Sequence, residues 1–420
     1  MSEWRASRIY LDKNVYEASL ERLDYVFSEF DEVVVGVSGG KDSTVLLFLA
    51  LQVAKDRKRL PLKVFFIDEE FEYQATVDYL LELSRLDDIL FYWYQIPLSL
   101  ECGVSVVNNE VLTFDPAYKD KWVHGYIDGS IRNNVYGSYK WETIFPKILQ
   151  KDFQTGGNKV ASLTGMRAEE SPKRQQVFRR DRPSYKNIVW STVETKNIYA
   201  FHPIYDWTHK DVWHAILSNK WPYNPIYDKL AQAGMPYNKL RVSSFIHEMV
   251  NRRSLDILHI VEPETFDKAL QRIPALDTLL HIDYDKMIPK TLPPMFTDWF
   301  DYRDYLLENL ITDPEAKAKL RKGFDRYDKY LRYAKNYEEI IRAEILSILT
   351  SDLQLNRLTT KLLEPGFQML KYYLEGRKGN RYEEIHPRNR KYLIKGLYGI
   401  LKQHDKAGRD SEKVGTAPNT

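Results

Sequence analysis

A valine-rich segment that meets Gly-Gly and passes without a linker into an apolar helix is a strand–turn–helix unit, and residues 33–54, VVVGVSGGKDSTVLLFLALQVA, spell one out. Gly39 and Gly40 permit a tight turn that brings backbone N–H groups close to a ligand, and the helix that follows points its positive end at the same place. Lys41 adds a mobile cation, Ser38 and Ser43 add hydroxyl donors, and Asp42 opens the helix. The hexapeptide SGGKDS is therefore expected to seat a phosphate chain. It is not G-x-x-x-x-G-K-[ST], because the lysine is followed by Asp42, and it is not G-x-G-x-x-G; neither the P-loop nor the dinucleotide fingerprint applies.

Further apolar runs alternate with helical segments. LKVFFID (62–68) and DILFYWYQIPL (88–98) read as strands separated by a helix near 73–84, without the period-2 pattern of a half-exposed sheet. The expected fold class is α/β, an open and mostly parallel sheet with helices on both faces, followed by an α-helical C-terminal module. Residues 1–30 read as a helical lead-in and 31–245 as the sheet domain, with an insert at about 101–157, rich in Asn, Tyr, Gly and Trp, that has the character of a loop or lid. Residues 246–403 have helical spacing, and 404–420 are polar and expected to be disordered. Thr208 and Asp211 mark a helix start before VWHAIL.

Two more stretches carry chemistry. Asp68, Glu69 and Glu70 follow the second strand at the edge where open α/β sheets bind ligands, and Asp68 is the candidate for ribose hydroxyls or magnesium. In TGMRAEESPKR (164–174), Gly165 follows a strand, Arg167 and Arg174 are fork-shaped phosphate binders, and Glu169 and Glu170 can orient them.

The SGGKDS loop resembles the PP-loop of the ATP pyrophosphatase superfamily, the adenine nucleotide alpha-hydrolase-like enzymes. Gly165, Arg167, Glu170, Ser171 and Arg174 match the G-x-R-x-x-E-S-x-x-R motif of the phosphoadenosine phosphosulfate (PAPS) reductase family within it. Pro203, Trp207, Asp211 and Trp213, then Pro222, Asn224, Pro225 and Tyr227, resemble a later segment of that family and are read as packing and turn residues. The resemblance implies binding of an adenine nucleotide, ATP with Mg or PAPS, and attack on the ATP α-phosphate with release of pyrophosphate. Lys41, Arg167 and Arg174 would be catalytic, and Ser38, Gly39, Gly40, Lys41, Asp42, Ser43, Asp68, Gly165, Arg167, Glu170 and Ser171 would bind the nucleotide.

The single cysteine, Cys102, departs from the reductases, which use a C-terminal cysteine motif. It also excludes an Fe–S cluster or a cysteine-based zinc site built by this chain alone. A self-sufficient reductase is therefore not expected, and reduction or sulfur transfer would need a partner's cysteine. The order of modules most resembles the IbrA-type phage and prophage co-activators, which implies a ParB-like partner and, as the alternative to catalysis, a nucleotide-sensing role. The chain's 61 Lys and Arg against 59 Asp and Glu select no partner, but residues 361–420 hold 13 Lys and Arg against 7 Asp and Glu, a local +6 that could follow a DNA backbone through basic C-terminal helices. No apolar run approaches the roughly 20 residues of a membrane span, so a soluble, cytoplasmic protein is expected.

Overall fold

Valine and phenylalanine on both faces of successive strands force burial from two sides, and the sheet that results is covered on both. The computed structural model describes residues 12–101, 110–178, 183–237, 240–242, 244–246, 252–274, 276, 288–331 and 337–349. Cys102, the basic stretch 361–420 and the tail 404–420 lie outside the described residues.

Strands β1 (Glu32–Gly36), β2 (Leu62–Ile67), β3 (Ile89–Tyr94), β6 (Val160–Leu163), β7 (Ser191–Thr195) and β8 (Ile198–Phe201) form one sheet in the order β3-β2-β1-β6-β8-β7. All neighbours run parallel except β7, which closes one edge as an antiparallel hairpin with β8. From β1 the chain builds outward through β2 and β3, then returns to place β6 on the other side of β1. The switch point of the sheet therefore lies between β1 and β6, and the loops after both strands open onto one crevice.

One face is covered by α1 (Val15–Glu29), α2 (Lys41–Asp56), α3 (Gln74–Ser84) and α6 (His209–Asn219), whose Leu23, Phe27, Leu46, Leu49, Leu80 and Ile216 pack on Val33, Val35, Val64 and Phe66. Asn14 and Thr208 each begin a helix with a reciprocal capping box, the second as its sequence indicates. The opposite face carries Val34, Phe65, Ile67, Val160 and Ile198. Over them lie α4 (Trp141–Ile148) and the wide turn 149–153, through Ile144, Ile148 and Phe153.

That helix belongs to the segment read as a loop or lid, and the structure corrects the reading. Its hairpin of β4 (Ser99–Glu101) and β5 (Glu110–Leu112) is followed by the buried Phe114; further on, Ile131 N–H donates to Trp93 C=O at 2.8 Å and Gln95 N–H donates to Ile131 C=O at 2.9 Å. These residues form the second helical layer of the sheet. Tyr94 and Tyr136 both donate to Asp152, at 2.7 and 2.6 Å, which ties the layer to the sheet beneath it.

The chain divides into two compact units, 1–280 and 281–420, so the first unit runs beyond the expected boundary at 245. The helices α8 (Arg252–Val261) and α9 (Pro263–Arg272) belong to the first unit. Glu262, between them, accepts from the backbone N–H of Gln74 and Ala75 at the start of α3. Arg272 donates to Glu70 at 2.7 Å, both side chains being almost fully buried. Within the second unit, α10 (Trp299–Leu310), α11 (Pro314–Leu331) and α12 (Tyr337–Leu349) enclose Leu307, Leu320, Phe324, Ile341 and Ile345, with Arg303 buried between Asp328 and Glu344. Among the described residues no helix is long and apolar enough to cross a membrane.

Candidate functional site

The turn after β1 does what its two glycines allow. Gly39 has φ +68°, a left-handed conformation that a side chain would strain, and a Cβ there would stand 2.6 Å from Thr76 Cγ2. Gly40 caps α2, whose first residue is Lys41. Within the loop, Ser38 N–H donates to Ser43 Oγ at 3.1 Å, and Ser43 Oγ–H donates to Gly40 C=O at 2.9 Å. Among the described residues no acceptor faces the amides of Gly39 and Gly40, so they stand available at the positive end of α2.

The loop is held from outside by residues that read as mere packing. Lys41 N–H donates to the hydroxyl of Tyr227 at 2.8 Å, and Asn224 Nδ2 donates to Gly39 C=O at 3.1 Å and to Thr76 Oγ1 at 2.9 Å. Both side chains are buried, and α7 (Ile226–Gln232) carries Tyr227. The P-x-N-P-x-Y segment is thus a brace for the phosphate loop, a role visible only once the fold brings it within reach.

The second half of the site arrives from β6. Gly165 lies so close to the start of α2 that a Cβ would fall 2.9 Å from Asp42 C and Ser43 N and 3.0 Å from Asp42 O. The absence of a side chain lets Arg167 reach Asp42, with Nε to Oδ1 at 2.5 Å. Arg167 is 4% exposed and also donates to Glu169 Oε2 at 3.1 Å and Trp207 C=O at 3.2 Å. Lys41 Nζ approaches the other oxygen of the same carboxylate, Asp42 Oδ2, at 3.0 Å, and Leu240 C=O at 3.3 Å. Asp42 therefore joins the lysine of one loop to the arginine of the other, and with Glu169 it balances their two charges. Arg174, half exposed, pairs with Glu170.

Ser38, Gly40, Lys41, Asp42, Ser43, Gly165, Arg167, Glu170 and Arg174 all line one cavity of about 1220 Å³. Three expected residues do not. Gly39 turns toward Thr76 and Leu80 and serves the shape of the loop. Ser171 caps α5 (Pro172–Val177), accepting from Arg174 N–H at 3.1 Å. Asp68 is fully buried and turned inward: it accepts from Glu70 N–H at 2.9 Å, Trp93 Nε1 at 2.8 Å and Gln95 Nε2 at 3.1 Å, and His124 Nε2 stands 3.2 Å away. A carboxylate with its lone pairs so occupied organises the loop after β2 and does not reach ribose or a metal ion. Among the described residues no group of three or more His, Cys, Asp or Glu side chains is arranged to hold a metal.

The carboxylates that do face the cavity after β2 are Glu69 and Glu72. Burial, and then the charge of Asp68, push the Glu69 carboxyl up to about 7. Burial, then Glu69 and Asp68, hold Glu72 well above its ordinary value. Ser244, buried against the same cavity, has no partner for its hydroxyl among the described residues. A carboxyl raised from 4.5 to about 7 keeps its proton in the folded chain where the unfolded chain has lost it, so its contribution to stability falls as pH rises from 4.5 to 7 and is level above that. Melting curves of Glu69→Gln and the parent chain are expected to diverge across that window, the variant becoming relatively more stable toward pH 7. A constant difference would show that Glu69 titrates normally.

With this geometry in place, comparison with known proteins is informative. Residues 32–102 and 147–233 match the family model of the phosphoadenosine phosphosulfate reductase domain, and the unmatched stretch between them holds β5 and the start of α4. The uncharacterized protein YbdN of Escherichia coli (strain K12) is 27% identical over 332 residues, covering 74% of this chain and 78% of that protein. Sulfate adenylyltransferase subunit 2 of Sulfurimonas denitrificans is 21% identical over 216 residues, 51% of this chain and 66% of that subunit. Among solved structures, Candida glabrata FMN adenylyltransferase in complex with FAD and inorganic pyrophosphate aligns at a TM-score of 0.33 and 16% identity, over 52% of this chain and 63% of that one. The chain thus spans slightly less than two thirds of the length of the adenylyltransferases it matches.

Proposed function

We propose that the chain binds ATP, brought as its magnesium complex, and transfers the adenylyl group to an acceptor. In this reading an oxygen or nitrogen of the acceptor forms a bond to the α-phosphorus, the bond from that phosphorus to the bridging oxygen breaks, and pyrophosphate leaves with the electron pair while the acceptor's proton passes to water. The amide of Gly40, with the hydroxyls of Ser38 and Ser43, would receive the leaving pyrophosphate in the loop that Gly39 shapes. Lys41 would neutralise the charge that develops on it. Arg167, and Arg174 from the cavity rim, would hold the remaining phosphate oxygens.

The observation that carries the reading is the convergence of Lys41 and Arg167 on the one carboxylate of Asp42 inside a cavity at the switch point of the sheet. Two cations fixed a few ångströms apart by a short acidic side chain are pre-positioned for a polyanion. Asp68, the carboxylate read for magnesium, is turned inward; Asp42 lines the cavity beside the phosphate loop and would hold the ion on exchanging its bond to Lys41 or Arg167 for one to the metal, since a magnesium ion bound mainly by phosphates and water needs only one or two such ligands. The metal would offset phosphate charge.

A second reading has its own support. Because Asp42 and Glu169 between them pair with Lys41 and Arg167, the two cations are matched by the chain's own carboxylates, as suits a pocket that senses a nucleotide without consuming it. The co-activator role, with a ParB-like partner or DNA as its target, belongs to that reading and rests on the resemblance of the modules. Incubating the full chain with ATP labelled at the α-phosphate separates the two. Labelled AMP or a labelled adenylylated product supports transfer; tight binding of ATP that is recovered intact overturns transfer in favour of sensing.

A further inference from the structure

The face of the sheet that carries Val34 changes character from one side to the other. Toward β2 it is apolar and covered by the α4 layer. Toward β7 the register continues from Val34 to Ser162, from Ser162 to Ala200 and from Ala200 to Thr192. Close by come Thr164 and His202, just past the ends of β6 and β8, and Glu194, at the register shift of β7 between Val193 and Thr195. Small and polar side chains thus occupy positions where a covered α/β sheet places Val, Ile and Leu, and Thr164, Ala200, His202, Thr192 and Glu194 line the same cavity as the phosphate loop.

This floor holds polar atoms that the described residues leave unmatched. His202 is 2% exposed, and its Nε2 has no hydrogen-bond partner among the described residues; Ser162 Oγ, fully buried, is in the same state. Buried polar atoms are paired in the great majority of cases, so the unmatched ring nitrogen of His202, on a residue that lines the cavity, marks a place where something else supplies the partner. The other ring nitrogen of His202 lies 2.6 Å from Thr164 Oγ1. When the Thr164 hydroxyl donates to Nδ1, the imidazole proton stands on Nε2, a donor left without a partner among the described residues, on a residue that lines the cavity. Burial, with Arg174 nearby, lowers His202 to about 4, so the ring is neutral. Glu194 is raised by burial, partly offset by a hydrogen bond from Thr192. Phe178 meets the His202 ring edge-on at 5.5 Å and gives the subsite one apolar wall.

We propose that this floor is the acceptor subsite of the adenylyl transfer described above, and that it takes an uncharged molecule of about nucleoside size which offers a carbonyl or ring nitrogen to His202 and an N–H or O–H to Glu194. Four residue steps separate the two side chains along the strands, about 13 Å at roughly 3.3 Å per residue, too long for a small oxyanion to bridge. A neutral imidazole and a carboxyl group also offer such an anion no positive charge. Arg174, whose charge acts on His202, is paired with Glu170. A hydroxyl of the bound molecule would be the nucleophile, its oxygen bonding to the α-phosphorus as pyrophosphate departs and its proton passing to water.

Equilibrium dialysis tests this on the full chain saturated with α,β-methylene-ATP, using labelled adenosine, guanosine, cytidine, uridine and sulfate as probes. One or more nucleosides should bind, with at least tenfold loss in His202→Phe and Glu194→Leu, and His202→Gln, which keeps an N–H donor, should recover most of the binding. Binding of sulfate alone, no nucleoside binding, or nucleoside binding indifferent to these substitutions would overturn the subsite. Failure of the ATP analogue itself to bind the parent chain would instead remove the nucleotide reading on which the subsite rests.

Discussion

Replacing Lys41 with alanine is expected to slow pyrophosphate release from ATP by about a hundredfold or more while the chain remains folded. Removing one pre-organised charged donor from a site where charge develops costs roughly 3 kcal/mol of transition-state stabilisation, and each ~1.4 kcal/mol is a factor of ten in rate. The structure adds reasons for a large effect. Lys41 is 4% exposed, its ammonium is held by Asp42 Oδ2 and Leu240 C=O, and it lies 5.5 Å from the centre of the Tyr227 ring, so it is fixed and poorly hydrated. Water cannot readily take its place. The fold should survive because Asp42 keeps its bond to Arg167, and the Lys41 amide keeps its bond to Tyr227. Pyrophosphate release at saturating ATP, with circular dichroism as the check on folding, measures this; an unchanged rate would remove Lys41 from the reaction.

The parts of the site that could be read from the chain are those made by neighbours in sequence. The strand, the Gly-Gly turn and the start of α2 are local, and their chemistry is written in consecutive residues. Thr208 and Asp211 form their capping box for the same reason. The arginine motif was also legible because Arg167 sits two residues past the glycine that lets it approach. Asp68 was not: its place at the end of β2 gives the correct edge of the sheet, but Glu70 then turns back at φ +67° and sends the Asp68 carboxylate inward to Trp93 and Gln95, leaving Glu69 and Glu72 to face the cavity. A strand end specifies an edge, whereas the conformation of the next residues decides which carboxylate looks into it.

Long-range partnerships account for the other differences. Helical spacing in 252–272 is correct, yet spacing says nothing about which body a helix joins. The buried Arg272–Glu70 pair and the Glu262 cap on α3 bind these helices to the sheet unit. Tyr227 and Asn224 read as turn residues because the atoms they brace lie more than 180 positions earlier. The hairpin of β7 and β8 is marked in sequence only by Lys196 and Asn197, with Asn197 at φ +63°, at its turn between Ser191–Thr195 and Ile198–Phe201. The polar floor depends on that hairpin, since Thr192, Glu194 and His202 come together only when those strands pair.

Gly165→Ala provides a test of a different kind, because it changes no charge and removes no donor. The added methyl would meet Asp42 C, Asp42 O and Ser43 N at 2.9–3.0 Å, all backbone atoms of the first turn of α2, which cannot swing aside as a side chain would. Either β6 or the phosphate loop has to retreat, at a cost of about 1–3 kcal/mol for overpacking in a well-filled interior. The retreat also separates Arg167 from Asp42 and opens the charge constellation. The expected result is a lowered melting temperature together with at least tenfold weaker ATP binding, whereas Gly125→Ala, at a glycine whose added Cβ would meet nothing within 4 Å, should leave both unchanged. If Gly165→Ala lowered the melting temperature but bound ATP as the parent chain does, the β6 arginine and the β1 loop would not act on the same phosphate chain, since a shift of either one relative to the other would then be without consequence for the ligand.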